Sequence, residues 1–167
     1  MGVSTVNGSD IPKLSQGKLV KSIFSLIVIL AVSLLTFSVN CVEVPTFAEV
    51  VEVIDGDTIV IEGNYRVRYI GIDAPEKGEA YYLEACQANR ELVMGKEVWL
   101  EKDTSDKDKY GRLLRYVYVD STFVNTELVR QGYAQAHAYP PDIKYQIYLE
   151  AAEQKARQKG KGIWEQK

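Results

Sequence analysis

From Val50 to Val119 the sequence carries five short runs rich in β-branched and aromatic residues, with one helical period between the third and the fourth. The runs are VVEVI (50–54), TIVIE (58–62), YRVRYIGI (65–72), EVWLE (97–101) and RLLRYVYV (112–119). Turn residues bound them: Asp55-Gly56-Asp57, Gly63-Asn64, Asp73-Ala74-Pro75-Glu76, Gly95 and Tyr110-Gly111. Gly56 is expected to give the first turn a positive φ at little steric cost. In the third run Arg66 and Arg68 alternate with Val67 and Tyr69, so both arginines share one face and the apolar pair the other. Residues 79–94 place Leu83, Cys86, Leu92 and Val93 near a 3.6 period and stop at Gly95. Five strands with a helix after the third is the order of an OB-fold barrel, which makes an oligonucleotide a reasonable ligand and no more.

Two more helices complete the pattern. A short one over Val124–Gln131 is closed by Gly132. The last, Asp142 to Lys159, is expected to be capped by Asp142, with Ile143, Ile147, Ala151 and Gln154 on its inner face. Ile163 and Trp164 are expected to fold back onto the domain. The fold class is therefore a β-barrel with helices (α+β): a five-stranded OB-fold with three helices over residues 49–167.

An N-terminal hydrophobic helix is expected ahead of this domain. Residues 1–21 carry Lys13, Lys18 and Lys21 as their only basic groups, the pattern of a cytoplasmic segment or signal n-region. Residues 22–42 run for 21 positions without a charge, long enough to cross a bilayer as a helix. The run fits a signal peptide cut near Thr46-Phe47-Ala48 or an uncleaved transmembrane anchor, and residues 43–48 are a linker. Either reading puts the domain outside the cytoplasm, secreted or membrane-anchored. Cys41 and Cys86 are the only two cysteines, too few for a disulfide framework, and Cys86 is expected to act as a small buried hydrophobe. A monomer is expected.

The formal net charge is -3, so no broad basic surface announces a polyanionic ligand, and positive charge for one must be local. Three clusters hold that possibility: Asp55-Gly56-Asp57-Thr58, Arg68 with Asp73-Ala74-Pro75-Glu76, and Asp108-Lys109-Tyr110-Gly111-Arg112. Each alone reads as an ordinary turn. Together they place Asp57 and Asp73 at strand ends that a barrel could bring together. Two carboxylates meeting without a basic partner repel, and a hard divalent cation would relieve the repulsion. His137 is the only histidine, so zinc is disfavoured and oxygen ligands point to Ca²⁺ or Mg²⁺. Phosphodiester hydrolysis also needs a base, which Glu76 could supply, and planar cations for the phosphate, which Arg68 and Arg112 could supply.

These stretches resemble the staphylococcal nuclease (thermonuclease) family from about Val50 to Trp164: VIDGDTIVI, RVRYIGIDAPE, DKYGRLLRYVYVD, VNTELVRQGYA and a terminal GIW. The resemblance implies an OB-fold and Ca²⁺-dependent cleavage of DNA and RNA to 3′-phosphate products. Carried over residue by residue, it makes Asp57, Asp73 and the backbone carbonyl of Ala74 the metal ligands, and Arg68, Glu76 and Arg112 the catalytic trio. The sequence departs from the family in three places. Ala74 stands where founding members carry threonine, the loop after Glu76 is short, and the tyrosine pair that packs the terminal nucleotide has no clean match, Tyr139 lying nearest. A non-catalytic oligonucleotide- or protein-binding module is the rival reading. It is disfavoured because both aspartates, both arginines and Glu76 are all present. A module using Ca²⁺ only structurally is a third.

Overall fold

The computed structural model describes residues 44–165, and the expected N-terminal segments up to Glu43 lie outside that range. Among the described residues no helix is long and apolar enough to cross a membrane. Three strands open the domain: β1 (Phe47–Val53), β2 (Thr58–Ile61) and β3 (Tyr65–Tyr69). The short β4 (Ile72–Asp73) follows, then helix α1 (Tyr82–Val93), β5 (Glu97–Glu101), β6 (Leu113–Val119) and β7 (Thr122–Phe123). Helix α2 (Val124–Gln131), β8 (Gln135–Ala136) and helix α3 (Gln146–Gln158) complete the chain, with a final 3-10 turn at Gly162–Trp164.

The sheet order is β3-β2-β1-β5-β6-β7, antiparallel throughout, and β3 then pairs with β6 in parallel to close a five-stranded barrel. Closure aligns Val67 with Leu113, Arg68 with Leu114 and Tyr69 with Arg115. The barrel interior is filled by the inward members of each strand, among them Val50, Ile59, Ile61, Val67, Tyr69, Val98, Leu113 and Val117, all at most 1% exposed. The alternation in YRVRY is as expected: Val67 and Tyr69 are buried while Arg66 and Arg68 point outward. On the outer face Phe47, Trp99, Tyr118 and Phe123 stand opposite one another across four adjacent strands, with ring centroids 4.8 Å apart for Trp99–Tyr118 and 4.7 Å for Tyr118–Phe123. Such cross-strand aromatic pairs fix register.

Gly56 is required for a reason other than the expected one. It does not adopt a positive φ. A Cβ there would lie 2.6 Å from the Ala74 Cβ and 2.9 Å from the Ala85 Cβ, so the turn, α1 and the loop after β4 meet where only hydrogen fits. By contrast, Gly132 ends α2 at φ 81°, in the left-handed region, as a helix C-terminus demands. Its carbonyl receives the Ile163 N–H at 2.9 Å, which folds the C-terminal turn back as expected.

Two helix faces differ from the sequence expectation. Helix α1 buries Ala85, Ala88, Asn89 and Val93, leaving Leu83 73% exposed and Cys86 only half-buried. Small residues face the barrel because α1 lies close against the Asp55–Asp57 turn. Helix α3 begins at Gln146 and buries Leu149, Ala152 and Ala156, while Ile147 is 79% exposed and Ile143 and Ala151 also face out. Asp142 does not cap it. Its buried carboxylate instead accepts the Ser105 N–H at 2.7 Å, pinning the loop after β5.

Asn125, fully buried on α2, fastens that helix to the barrel. Its Oδ1 accepts the Val117 N–H at 3.0 Å and its Nδ2 donates to the Ile70 carbonyl at 2.9 Å. Asn125→Ala leaves both backbone groups unpaired and is expected to lower stability by about 2–4 kcal/mol, read from the midpoint of chemical unfolding.

Candidate active site

The site is built at the end of the barrel where the β1–β2 turn, the tail of β3 and the start of β6 come together. Asp57 leads into β2 and is 5% exposed. Its Oδ1 accepts the Thr58 hydroxyl at 3.1 Å and its Oδ2 accepts the Ala74 N–H at 2.7 Å. The Asp57 N–H donates back to Asp55 Oδ1 at 3.0 Å, so the turn folds on itself.

Arg68 extends from β3 over this turn. Its Nη1 lies 3.1 Å from Asp57 Oδ2, and its Nη2 lies 2.7 Å from Asp73 Oδ1. Nη1 also donates to the carbonyls of Tyr69 at 3.0 Å and Ile72 at 2.9 Å. The chain turns at Gly71 (φ 77°) and returns as β4, which brings Ile72 and Asp73 above the guanidinium. The two aspartates therefore do converge, but not without a basic partner: Arg68 stands against both. Sequence separation hid this, because the alternation that puts Arg68 on the outer face of β3 does not say what the returning chain lays across it.

Burial pushes the Asp57 carboxyl up from its ordinary 3.8 to about 7, even though the Arg68 charge pulls the other way; nearby Asp55 adds to the rise. One guanidinium shared between two carboxylates does not offset the loss of water. Asp73 is half-exposed and keeps more of its hydration.

Arg112 stands just before β6. Its Nε donates to Asp108 Oδ2 at 2.7 Å, and its backbone N–H donates to Asp108 Oδ1 at 3.0 Å. The Tyr110 N–H also reaches Asp108 Oδ1, at 2.9 Å. Burial opposes ionisation of Asp108, but these bonds outweigh it and hold its carboxyl below the usual range. Asp108 thus orients Arg112, a role not read from the sequence. The Asp-x-Tyr-Gly-Arg spacing, in which one carboxylate accepts turn N–H groups and pairs with the side chain four residues on, was the available signal.

Arg68 and Arg112 border one cavity of about 480 Å³, walled also by Gly71, Asp108, Tyr110 and Tyr139. The parallel register explains this, since Arg68 is paired with Leu114 and Arg112 lies two residues before Leu114, on the same side. Tyr110 is 72% exposed and Tyr139 49% exposed, and the Tyr139 ring stacks on His137 at 4.3 Å. Glu76 is exposed on the loop after β4, where its N–H donates to Glu79 Oε2 at 2.8 Å. It does not line the cavity, and its carboxylate has no partner among the described residues.

The raised Asp57 carboxyl has a consequence for stability. The folded chain binds this proton more readily than the unfolded chain, so stability is lost as pH rises from about 4 to about 7. In chelator-containing buffer, Asp57→Asn is expected to melt above the parent near pH 8 and at the same temperature near pH 4. Parallel melting curves across that range would show that burial is not the dominant influence.

The staphylococcal nuclease homologue family model matches residues 66–166. The chain is 40% identical over 122 residues to the thermonuclease of Staphylococcus intermedius, covering 68% of this chain and 73% of that protein. It is 36% identical over 125 residues to the thermonuclease of Staphylococcus hyicus, covering 70% and 74%. It is 40% identical over 122 residues to endonuclease YncB of Bacillus subtilis (strain 168), covering 66% of this chain and 58% of that protein. With a closed barrel, three helices and these relatives, the chain belongs to the staphylococcal nuclease family.

Proposed function

We propose that this chain is a phosphodiester-hydrolysing nuclease that cleaves DNA and RNA in a Ca²⁺-dependent reaction, leaving 3′-phosphates. The observation that carries the reading is the pair of guanidinium groups on one cavity, the first of them held against two carboxylates. Asp57, Asp73 and the backbone carbonyl of Ala74 would hold the ion. Among the described residues, no group of three or more His, Cys, Asp or Glu side chains is placed to bind a metal. Two carboxylates and a carbonyl are hard oxygen donors, and with water completing the shell they suit an ion of flexible coordination such as Ca²⁺. The under-compensated charge of buried Asp57 also favours a further cation beside it.

When bound, the ion supplies Lewis-acid polarisation of a phosphoryl oxygen. Arg112 keeps its Nε on Asp108, and its two Nη nitrogens, without a hydrogen-bond partner among the described residues, are available to a phosphate. Arg68 is anchored to the barrel by two carbonyls through Nη1, and its Nη2, already paired with Asp73, would turn its remaining N–H to the same phosphate. The two guanidiniums thereby offset the charge that builds on the nonbridging oxygens as the phosphorane forms. Glu76, whose carboxylate has no competing partner among the described residues, takes the proton of the attacking water as its oxygen bonds to phosphorus; the P–O5′ bond breaks, leaving the 3′-phosphate, and the departing 5′-oxygen takes a proton from solvent. The uncharged run at 22–42 supports export of the domain, secreted or anchored through that run.

Full-length protein is expected to degrade single-stranded DNA when Ca²⁺ is added and to stop on addition of EDTA. A folded chain that binds DNA but leaves it intact across a range of Ca²⁺ concentrations would make it a binding module instead. Glu76→Gln and Arg112→Ala are each expected to lower turnover by about 10²–10³. Near-parental rates in both would show these roles to be misassigned.

A further inference from the structure

Helix α1 contributes no charged group to the site, yet it places one fully buried amide behind it. Asn89 Nδ2 donates to the Asp55 carbonyl at 2.9 Å, and its Oδ1 accepts the Tyr69 hydroxyl at 2.9 Å. Tyr69 is itself 1% exposed, and its own N–H donates to the Asp57 carbonyl at 2.9 Å. One buried unit therefore grips the Asp55-Gly56-Asp57 turn at both ends. The amide of Asn89 holds the first residue, and the backbone of Tyr69 holds the last. The middle residue, Gly56, is wedged between Ala74 and Ala85, and Ala85 lies one helical turn before Asn89 on the same face of α1.

Asparagine is a poor residue for a helix interior, and its amide is costly to bury unless both ends are paired. Here both ends are spent on the turn and on β3, and neither serves the helix. A second constraint makes the brace matter. Asp57 is paired with Arg68, and Arg68 is also the group offered to phosphate, so the ion pair cannot by itself fix Asp57 in every state of the reaction. The turn needs a support that does not carry charge and does not change partners.

We infer that Asn89, with the Tyr69 hydroxyl, is a positioning residue for the Asp57 turn and sets the Ca²⁺ affinity of the site. This rests on the proposed metal role of Asp57. Removing a partner that orients a metal ligand typically weakens metal binding by about 10–100-fold. Calorimetric titration of the full chain with Ca²⁺ alone, without nucleic acid, is therefore expected to show a Kd raised by about that factor in Asn89→Ala. Tyr69→Phe is expected to shift it in the same direction and by less, because the ring and the backbone N–H remain. It also serves if Asn89→Ala does not fold. Val98→Ala, a buried truncation on β5 away from the turn, provides the comparison: it should lose stability while keeping the parental Kd.

If Asn89→Ala and Tyr69→Phe lose stability but bind Ca²⁺ as the parent does, their role is only structural and the inference fails. If Asp57→Asn also leaves the Kd unchanged, the metal role of Asp57 has failed, and this inference falls with it. Weakened binding in Asp57→Asn together with parental binding in the other two variants would overturn the inference alone.

Discussion

One guanidinium organises the acidic end of the barrel. Arg68 donates to the carbonyls of Tyr69 and Ile72 and stands against the carboxylates of Asp57 and Asp73, so strand β3, the returning β4 and the β1–β2 turn share a single cation. A charge this buried is tolerated only when its partners are in place. The loop from Ile70 to Ala74 is shaped by that need, and the Ala74 N–H closes the arrangement onto Asp57. The result is an acidic protein that nonetheless brings two guanidinium groups to one cavity.

The charge balance also explains why Asp57 is unusual. A carboxylate buried beside a shared counter-ion retains an affinity for a proton. Arg112 has no such ambiguity. Its carboxylate, Asp108, serves it from both side chain and turn backbone, and the guanidinium is oriented before any ligand arrives. The two arginines on one cavity are thus held differently, one inside a network of acceptors and one on a dedicated brace.

Much of this was legible along the chain. Period-two alternation gave the faces of β3, turn residues gave the five barrel strands, and Gly95 and Gly132 marked helix ends where both take a positive φ. Spacing of the basic clusters pointed to Arg68 and Arg112, which share one cavity, while Asp57 and Asp73 meet at Arg68 and Glu76 lies off the cavity wall. What could not be read were contacts between elements remote in sequence. Gly56 is needed because Ala74 and Ala85 converge on it, not because of its φ. Helix α3 turns small residues inward, so the larger Ile143 and Ile147 misled. Nothing local to Asn89 reveals that the Asp55 carbonyl and the Tyr69 hydroxyl lie at its two ends.

The seam between β3 and β6 has its own implication. These strands meet in parallel and from distant parts of the chain, so their pairing closes a long loop and belongs to the slow kind of contact. Until it zips, the chain can possess all its helices and antiparallel pairs and still present two bare strand edges. Bare edges recruit other chains. In the same open form Arg68 and Arg112 share no cavity wall, so a molecule caught with its seam unlatched would be sticky and would lack the paired guanidiniums.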